Sequence, residues 1–425
     1  MSYFLLETFG YPSYHSKSMV ENCDVMPVPA SPAKPDRISG NRKKVVVICS
    51  YTVSLVNFRY QLLRALVANN HEVVALGPES HAPTIEALSK IGVTFHQIPM
   101  ARAGLNPFGD IRTMMALWRM LRQFKPDVVV SYTMKPIIYG LFAARLAGVR
   151  ERHALITGLG YIFGDTGSAP RKRWMRRAVT LMYRVGLKGC GRVFVYNDAD
   201  EGDVRKGHMV EDDRCIVRVP GTGVDFGQYP ASAPPQGEVV FLMIARLLRE
   251  KGFHEFVEAA RVLKAEHPNA RFQILGPMDP SPLAVSREEL DRWTAEDAIE
   301  YLGETTDVRP YLARCSVFVL PSYYREGIPR SILEALATGR AVVTANTPGC
   351  RDTVIDGDNG YIVPPRDARA LERAMRRFLD QPSLVTAMGR ESLTLAKRRF
   401  DINVVNQLLL REMRLLSPGK GHSPV

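Results

Sequence analysis

The chain of 425 residues contains no long apolar run. Nothing in it approaches the roughly 20 consecutive apolar residues of a membrane helix, and the mean hydropathy is −0.10. A globular protein without a helical membrane span is therefore expected. Cysteine is scarce and scattered. The six, at positions 23, 49, 190, 215, 315 and 350, form no C-x-x-C pair and do not cluster with the nine histidines. Neither a zinc site nor a disulfide framework is expected, and most of these residues read as reduced, buried thiols of a cytoplasmic protein. The opening MSYFLLETFGYPSY lacks a basic leading segment, and charge and proline soon break its short apolar patch, so no signal peptide is expected. Also missing are an obvious aspartate pair for a metal-bound diphosphate and a histidine–carboxylate cluster, so no metal is expected.

Acid is absent from one stretch in particular. Between Pro170 and Arg192 stand eight Lys or Arg and no Asp or Glu, in a chain of net charge +12 and isoelectric point about 9.4. A balance of that sign asks for an anionic partner. Arg171, Lys172, Arg173, Arg176 and Arg177 interleave with Trp174, Met175, Val179, Leu181, Met182 and Tyr183. Such a basic amphipathic helix can lie on an anionic membrane surface, which would place the protein peripherally on the inner face of the plasma (inner) membrane. The plain alternative is a helix packed on a sheet with its cations solvated.

The length fits two domains, each able to bury its own core. Residues 1–42 carry VPASPAKPDR and no sustained periodicity, and read as a flexible extension. From Lys43 short apolar strands such as KVVVICS, EVVAL and DVVVS alternate with longer amphipathic helices, including Pro107 to Phe124, Pro136 to Ala147 and the basic helix. That pattern predicts an α/β fold of parallel sheets covered on both faces, with a first domain over 43–220. The Gly- and Pro-rich segment PGTGVDFGQYPASAPPQGE marks a linker near 221–236, and a second βα series occupies 237–400. A last helix is predicted from Ile402 to Leu416.

Two constellations in the second half carry chemistry. Strand Val239 to Ile244 runs into Ala245 and Arg246, with Lys251-Gly252 before a helix beginning near Phe253. Two cations at the carboxyl edge of a parallel sheet can neutralise a diphosphate and hold it. Further on, Glu326-Gly327-Ile328-Pro329-Arg330 leads into a helix bracketed by Pro329 and Gly339, with Glu334 inside it. Proline suits a first turn and glycine the position past the end. The helix start would offer backbone N–H groups to phosphate. Glu326 then suits sugar hydroxyls and Glu334 ribose hydroxyls, while Arg330 adds charge at the same end or points to solvent. An ordinary helix start with solvated glutamates is the plainer reading of either piece alone.

Together these residues resemble the retaining glycosyltransferases of family four, whose GT-B fold sets two Rossmann-like doubly wound sheets across a cleft. The resemblance covers most of 237–400, including LEALATGRAVVT, Pro348-Gly349 and Asn359-Gly360-Tyr361. It implies that Arg246 and Lys251 bind the donor diphosphate, that Glu326 meets the donor sugar and Glu334 the ribose, and that the last helix crosses back to the first domain. The first domain is similar to a narrower branch that adds sugars to undecaprenyl-diphosphate-linked saccharides, such as the α-1,3-N-acetylgalactosaminyltransferases of glycan assembly. The matching residues are Asn57-Phe58-Arg59, Gly104 to Phe108, Ser131 with Lys135-Pro136, and Thr157-Gly158-Leu159-Gly160-Tyr161. Arg59, Lys135, Thr157, Gly158 and Gly160 are thereby expected to line the acceptor site, with Arg59 and Lys135 on an acceptor diphosphate. Two departures stand out: Thr157 replaces a common histidine, and Thr222 a common asparagine before Gly223-Val224-Asp225.

The implied activity moves a hexose or N-acetylhexosamine, with retention, from a nucleotide diphosphate donor to a lipid-linked saccharide. No cofactor is implied. The alternatives are a transferase acting on a soluble acceptor and a non-hydrolysing sugar-nucleotide epimerase. Nucleic acid as a partner would explain the charge but not the glutamates. A dehydrogenase fits poorly, because Gly158-x-Gly160 with Gly164 has the wrong spacing and position for a dinucleotide loop.

Overall fold

The computed structural model describes residues 42–101, 107–164, 170–281 and 283–417. All but the last residue of the extension predicted over 1–42 lies outside them. The first half comprises β1 (Lys44–Ile48), α1 (Ser54–Ala68), β2 (Glu72–Gly77), α2 (Ala82–Lys90), β3 (Val93–Gln97), α3 (Pro107–Phe124), β4 (Val128–Tyr132), α4 (Leu141–Leu146), β5 (Glu151–Ile156), α5 (Pro170–Leu187), β6 (Arg192–Val195), α6 (Asp198–Lys206) and β7 (Ile216–Arg218). The second comprises β8 (Val240–Ile244), α7 (Phe253–Glu266), β9 (Arg271–Leu275), α8 (Arg287–Ala295), β10 (Glu300–Tyr301), α9 (Arg309–Arg314), β11 (Val317–Leu320), α10 (Arg330–Thr338), β12 (Ala341–Ala345), β13 (Gly360–Val363), α11 (Ala368–Asp380), α12 (Ser383–Arg399) and α13 (Ile402–Glu412).

The strands form two parallel sheets, ordered β3-β2-β1-β4-β5-β6-β7 and β10-β9-β8-β11-β12-β13. Their sequences read as nearly continuous buried runs because helices cover both faces, as KVVVI of β1 and AVVTA of β12 show. In each sheet the order reverses at one point, between β1 and β4 and between β8 and β11. Crevices outside the carboxyl ends of the strands at such points are where open α/β sheets hold ligands.

Three details differ from the sequence expectation. The helix foreseen from Pro136 opens as a π-helical turn over Pro136–Gly140 before α4, where Gly140 packs closely over Ile48 and Ser131. Pro329 precedes α10 with an extended ψ of 120° instead of lying in its first turn, and Gly339 ends the helix in the left-handed region at φ 81°. The last helix stops at Glu412, four residues short of the prediction.

That helix α13 returns to the first domain. It packs against α1, and beyond it His71 Nε2 meets the Leu415 carbonyl at 2.9 Å while the Ser417 amide donates to Asn69 Oδ1 at 3.1 Å. The linker joins this return path: the Val224 amide donates to Phe400 O and the Ile402 amide to Val224 O. Both crossings between the domains are thus tied together at one edge, and the cleft opens beside them.

Candidate active site

Arg246, Lys251, Glu326, Pro329, Arg330 and Ser331 share one cavity of about 290 Å³ at the carboxyl edge of the second sheet, closed on its other side by Leu275, Gly276, Pro277, Thr305 and Val308. β8 delivers Arg246, the short 3-10 turn Arg249–Lys251 delivers Lys251, and the loop after β11 delivers Glu326. The first amides of α10 point out along the helix axis at Arg330 and Ser331, because Ile332 and Leu333 already donate back to Pro329 O.

Each cation of the cavity has a carboxylate partner. Arg246 Nη1 donates to Asp279 Oδ2 at 2.7 Å, and the Asp279 side chain is almost wholly buried. Lys251 Nζ is ion-paired with Glu326 Oε1, which also accepts from Ser322 Oγ at 3.1 Å. The ammonium sits 5.1 Å from the centre of the Tyr324 ring. Arg330 Nε donates to Glu334 Oε1 at 2.7 Å, as does Tyr229 OH at 2.8 Å, and the Arg330 guanidinium lies 5.3 Å from the Phe58 ring centre. Burial opposes the charge on Arg330, yet Glu334 and Tyr229 leave its pKa raised overall. Glu334 is buried in this arrangement and does not line the cavity. Arg330, left between two orientations by its sequence position, faces both the cavity and the first domain.

The loop bearing Glu326 wedges between the domains. A Cβ on Gly327 would lie 2.3 Å from Thr157 O, one on Gly158 3.0 Å from Gly327 N, and one on Gly349, at φ 82°, 1.7 Å from Gly327 O. Only glycines allow three backbones to approach so closely. Ile328 packs on Gly221 in the linker, and Gly160 approaches the Tyr324 hydroxyl. Asn197 Nδ2, from the N-cap of α6, donates to Glu326 O at 3.1 Å and Gly327 O at 3.2 Å. Thr157, Gly158 and Gly160 therefore stand beside the donor loop.

The other two acceptor candidates are enclosed. Arg59 is 3% exposed; its Nη2 donates to Tyr196 OH at 2.7 Å and its guanidinium lies over Tyr132. Lys135 is also buried and paired with Asp110 at 3.0 Å, a carboxylate that also accepts from Tyr139 OH. Neither Arg59 nor Lys135 lines the donor cavity.

On α5 the side chains of Arg171 and Lys172 lie outside what the structure describes. Arg173, Trp174 and Arg177 are exposed, Trp174 by 69%. Arg176 turns back onto the protein, with Nη2 2.5 Å from Asp203 Oδ1 and its guanidinium over Phe163. The exposed apolar pattern extends further than α5. Phe108, Ile111 and Met115 on α3, Leu146 on α4, and Trp174, Leu181 and Val185 on α5 are seven of the thirteen large apolar side chains exposed among the described residues. These helices are neighbours, α3 against α4 and α4 against α5. The i, i+3, i+7 spacing of 108, 111 and 115 carried that signal in the sequence.

Contrary to the expectation that no aspartate pair is present, Asp198 and Asp200 stand two apart. Asp198 is paired with Arg351 of the second domain, and the wholly buried Asp200 with Arg325. Among the described residues no three His, Cys, Asp or Glu side chains converge as metal ligands. Asp279, Ser322, Tyr229 and Arg325 were also unforeseen; only Arg325, directly before Glu326, was marked by position.

Residues 56–221 match the Glycosyl transferase 4-like domain, and 228–393 match Glycosyl transferases group 1. The N,N'-diacetylbacillosaminyl-diphospho-undecaprenol alpha-1,3-N-acetylgalactosaminyltransferase of Campylobacter jejuni is 28% identical over 84% of this chain and 95% of its own length. An Escherichia coli UDP-Gal:alpha-D-GlcNAc-diphosphoundecaprenol alpha-1,3-galactosyltransferase is 27% identical over 68% of this chain and 75% of its own. Among solved structures, Anabaena HepE with UDP and glucose superimposes with a TM-score of 0.69 at 15% identity, covering 88% of this chain and 100% of that one. Sucrose-phosphate synthase from Thermosynechococcus elongatus gives a TM-score of 0.72 at 18% identity, over 88% and 98%. These last two share the fold.

Burial raises the Asp200 carboxyl from 3.8 to about 6, against the opposing pull of Arg325. The folded chain holds that proton across the window between the two values, so the stability it adds is complete below about pH 3.8 and lost as pH rises through about 6. Asp200→Asn should remove this slope, worth on the order of 2–3 kcal/mol. Thermal unfolding of both proteins at closely spaced pH values measures it, and a variant tracking the wild type through the window would contradict the assignment.

Proposed function

The chain belongs to the family-four glycosyltransferases of GT-B fold, and on that premise we propose that it moves a hexose or N-acetylhexosamine, with retention, from a UDP-linked donor to an undecaprenyl-diphosphate-linked saccharide. The single observation that carries the donor half is the shared cavity: Arg246, Lys251, Glu326 and the tip of α10 line one hollow. The acceptor half is supported by two relatives, from Campylobacter and Escherichia coli, named for diphosphoundecaprenol acceptors. Transferase domains spanning both halves disfavour the epimerase reading.

In this reading the diphosphate sits between Arg246, Lys251 and the α10 amides, and Lys251 bridges it to Glu326, which orients the sugar hydroxyls. The anomeric carbon–oxygen bond to the β-phosphate breaks as the acceptor oxygen bonds to the same face. The acceptor proton passes to the departing phosphate oxygen, so no protein base is needed. Charge grows on that phosphate, and cations already fixed by Asp279 and Glu326 stabilise it without reorganising. No metal enters this account. Glu334 acts through Arg330 and Tyr229, which both donate to its carboxylate.

The acceptor's lipid would be met by the surface of α3, α4 and α5. Its exposed apolar side chains lie among exposed Arg112, Arg119, Arg122, Arg173 and Arg177, while Asp110, the acid of α3, is buried. Peripheral attachment at the inner face of the membrane follows from this reading. No described helix is long and apolar enough to cross a bilayer.

Lys251→Ala or Arg246→Ala should lower turnover by about 10²-fold or more, about 3 kcal/mol of transition-state stabilisation. The assay supplies membranes or a synthetic undecaprenyl-diphosphate sugar with a panel of radiolabelled UDP-sugars and follows label into lipid. Near-normal transfer by purified Lys251→Ala would refute the phosphate role, and full activity on a lipid-free acceptor would favour a soluble one. For the surface, reversing Arg173 and Arg177 and replacing Trp174 with Ala should abolish flotation with anionic liposomes. Arg176 is left alone because it is ion-paired with Asp203. Flotation indifferent to anionic lipid, or to these changes, would reject the membrane contact.

A further inference from the structure

We propose that Arg325 is a positioning residue for the transfer reaction: it latches the loop that carries Glu326 onto the first domain. The proposal rests on the reading of Glu326 as the carboxylate that faces the donor sugar. Consecutive side chains on this loop point opposite ways. Glu326 turns to Lys251 and the cavity, while Arg325 turns to the first domain, where its Nη1 donates to Phe163 O at 2.6 Å and its Nη2 lies 3.2 Å from Asp200 Oδ1 and 2.5 Å from Asp203 Oδ2. The Arg325 side chain is 11% exposed, and those of Asp200 and Asp203 are 0% and 10%.

The network is arranged for geometry more than for stability. Buried ion pairs return little net stability because both partners lose their hydration, and their best-attested use is to select one arrangement. Here the second arm of the selection is Asn197, whose side chain holds Asp200 Oδ2 and also the carbonyls of Glu326 and Gly327. The loop is therefore held on both sides of the Glu326 Cα, by its backbone through Asn197 and by its neighbour through Arg325. The chain of charges goes on past Asp203 to Arg176 on α5, which neutralises the second aspartate. Two carboxylates and two guanidiniums thus run from the exposed basic helix to the donor loop.

The test uses the purified full-length protein, UDP as the binding probe, and for turnover the UDP-sugar accepted in the panel assay. Arg325→Ala should lower kcat by about 10²-fold, the scale of a small misplacement of a group in a reaction centre. KM for the donor and Kd for UDP should stay unchanged, because Arg246, Lys251 and the α10 amides are untouched. Added guanidinium ion should restore part of the kcat of Arg325→Ala and none of that of Lys251→Ala. Arg325→Lys, which keeps the charge but not the fork of donors, should fall between wild type and Arg325→Ala. Wild-type kcat in Arg325→Ala, loss of UDP affinity in step with kcat, or no response to guanidinium would each overturn the latch. Should Arg325→Ala fail to fold, Arg325→Lys and Asp203→Asn carry the test, with lowered kcat at intact UDP affinity as support and wild-type kcat in both as refutation. A fully active Glu326→Ala would remove the premise, whereas an inactive Glu326→Ala beside a fully active Arg325→Ala would overturn the latch alone.

Discussion

Three backbones meet where the two domains touch, and the rest of the site hangs on that contact. Thr157-Gly158 comes from the first sheet, Glu326-Gly327 from the second, and Gly349 from the turn after β12. No β-carbon fits at Gly327 or Gly349, and at Gly158 the backbone is already in a region that favours glycine. Because the contact is backbone to backbone, it leaves little slack. The Glu326 carboxylate is placed relative to both domains at once, which is what a reaction between a donor held by one and an acceptor approached from the other requires.

Electrostatics then set the tone of the cavity. Arg246, Lys251 and Arg330 each meet a carboxylate, from Asp279, Glu326 and Glu334 respectively. Unpartnered cations in such a hollow would repel one another and carry the cost of lost hydration. With partners they are held in one orientation, and a dianionic guest can share them without rebuilding the site. Lys135 is paired in the same way, with Asp110, but stands outside the donor cavity.

Much of the fold could be read from residue order. Strand runs such as KVVVI and AVVTA, the positions of Pro329 and Gly339, and the Gly- and Pro-rich linker marked elements that the structure contains within a few residues. The donor constellation was legible for the same reason: Arg246 and Lys251 lie at the end of one strand, and Glu326 precedes the helix that follows another. Local order fixes which end of a strand a residue occupies, and parallel sheets align those ends. Arg59, on the first helix, and Lys135, after the end of β4, looked equally suggestive, but their environments are built by Tyr196, Tyr132 and Asp110, 25 to 137 residues away. The apolar stripe on α3 was present in the spacing of Phe108, Ile111 and Met115, yet only the packing of α3, α4 and α5 as neighbours makes it continuous with Trp174 and Leu181.

By itself, then, the sequence determined the succession of strands and helices, the two parallel sheets, and the identity of the groups at the donor edge, because periodicity and punctuation are local properties of the chain. Tertiary structure alone decided how charges are shared: that Lys251 belongs with Glu326, Arg246 with Asp279, Glu334 with Arg330 and Tyr229, and Arg325 with Asp200 and Asp203. A charged side chain is long and its energy depends on whatever partner and burial the fold supplies. The residue type states that a charge exists, and only the assembled interior says what it faces.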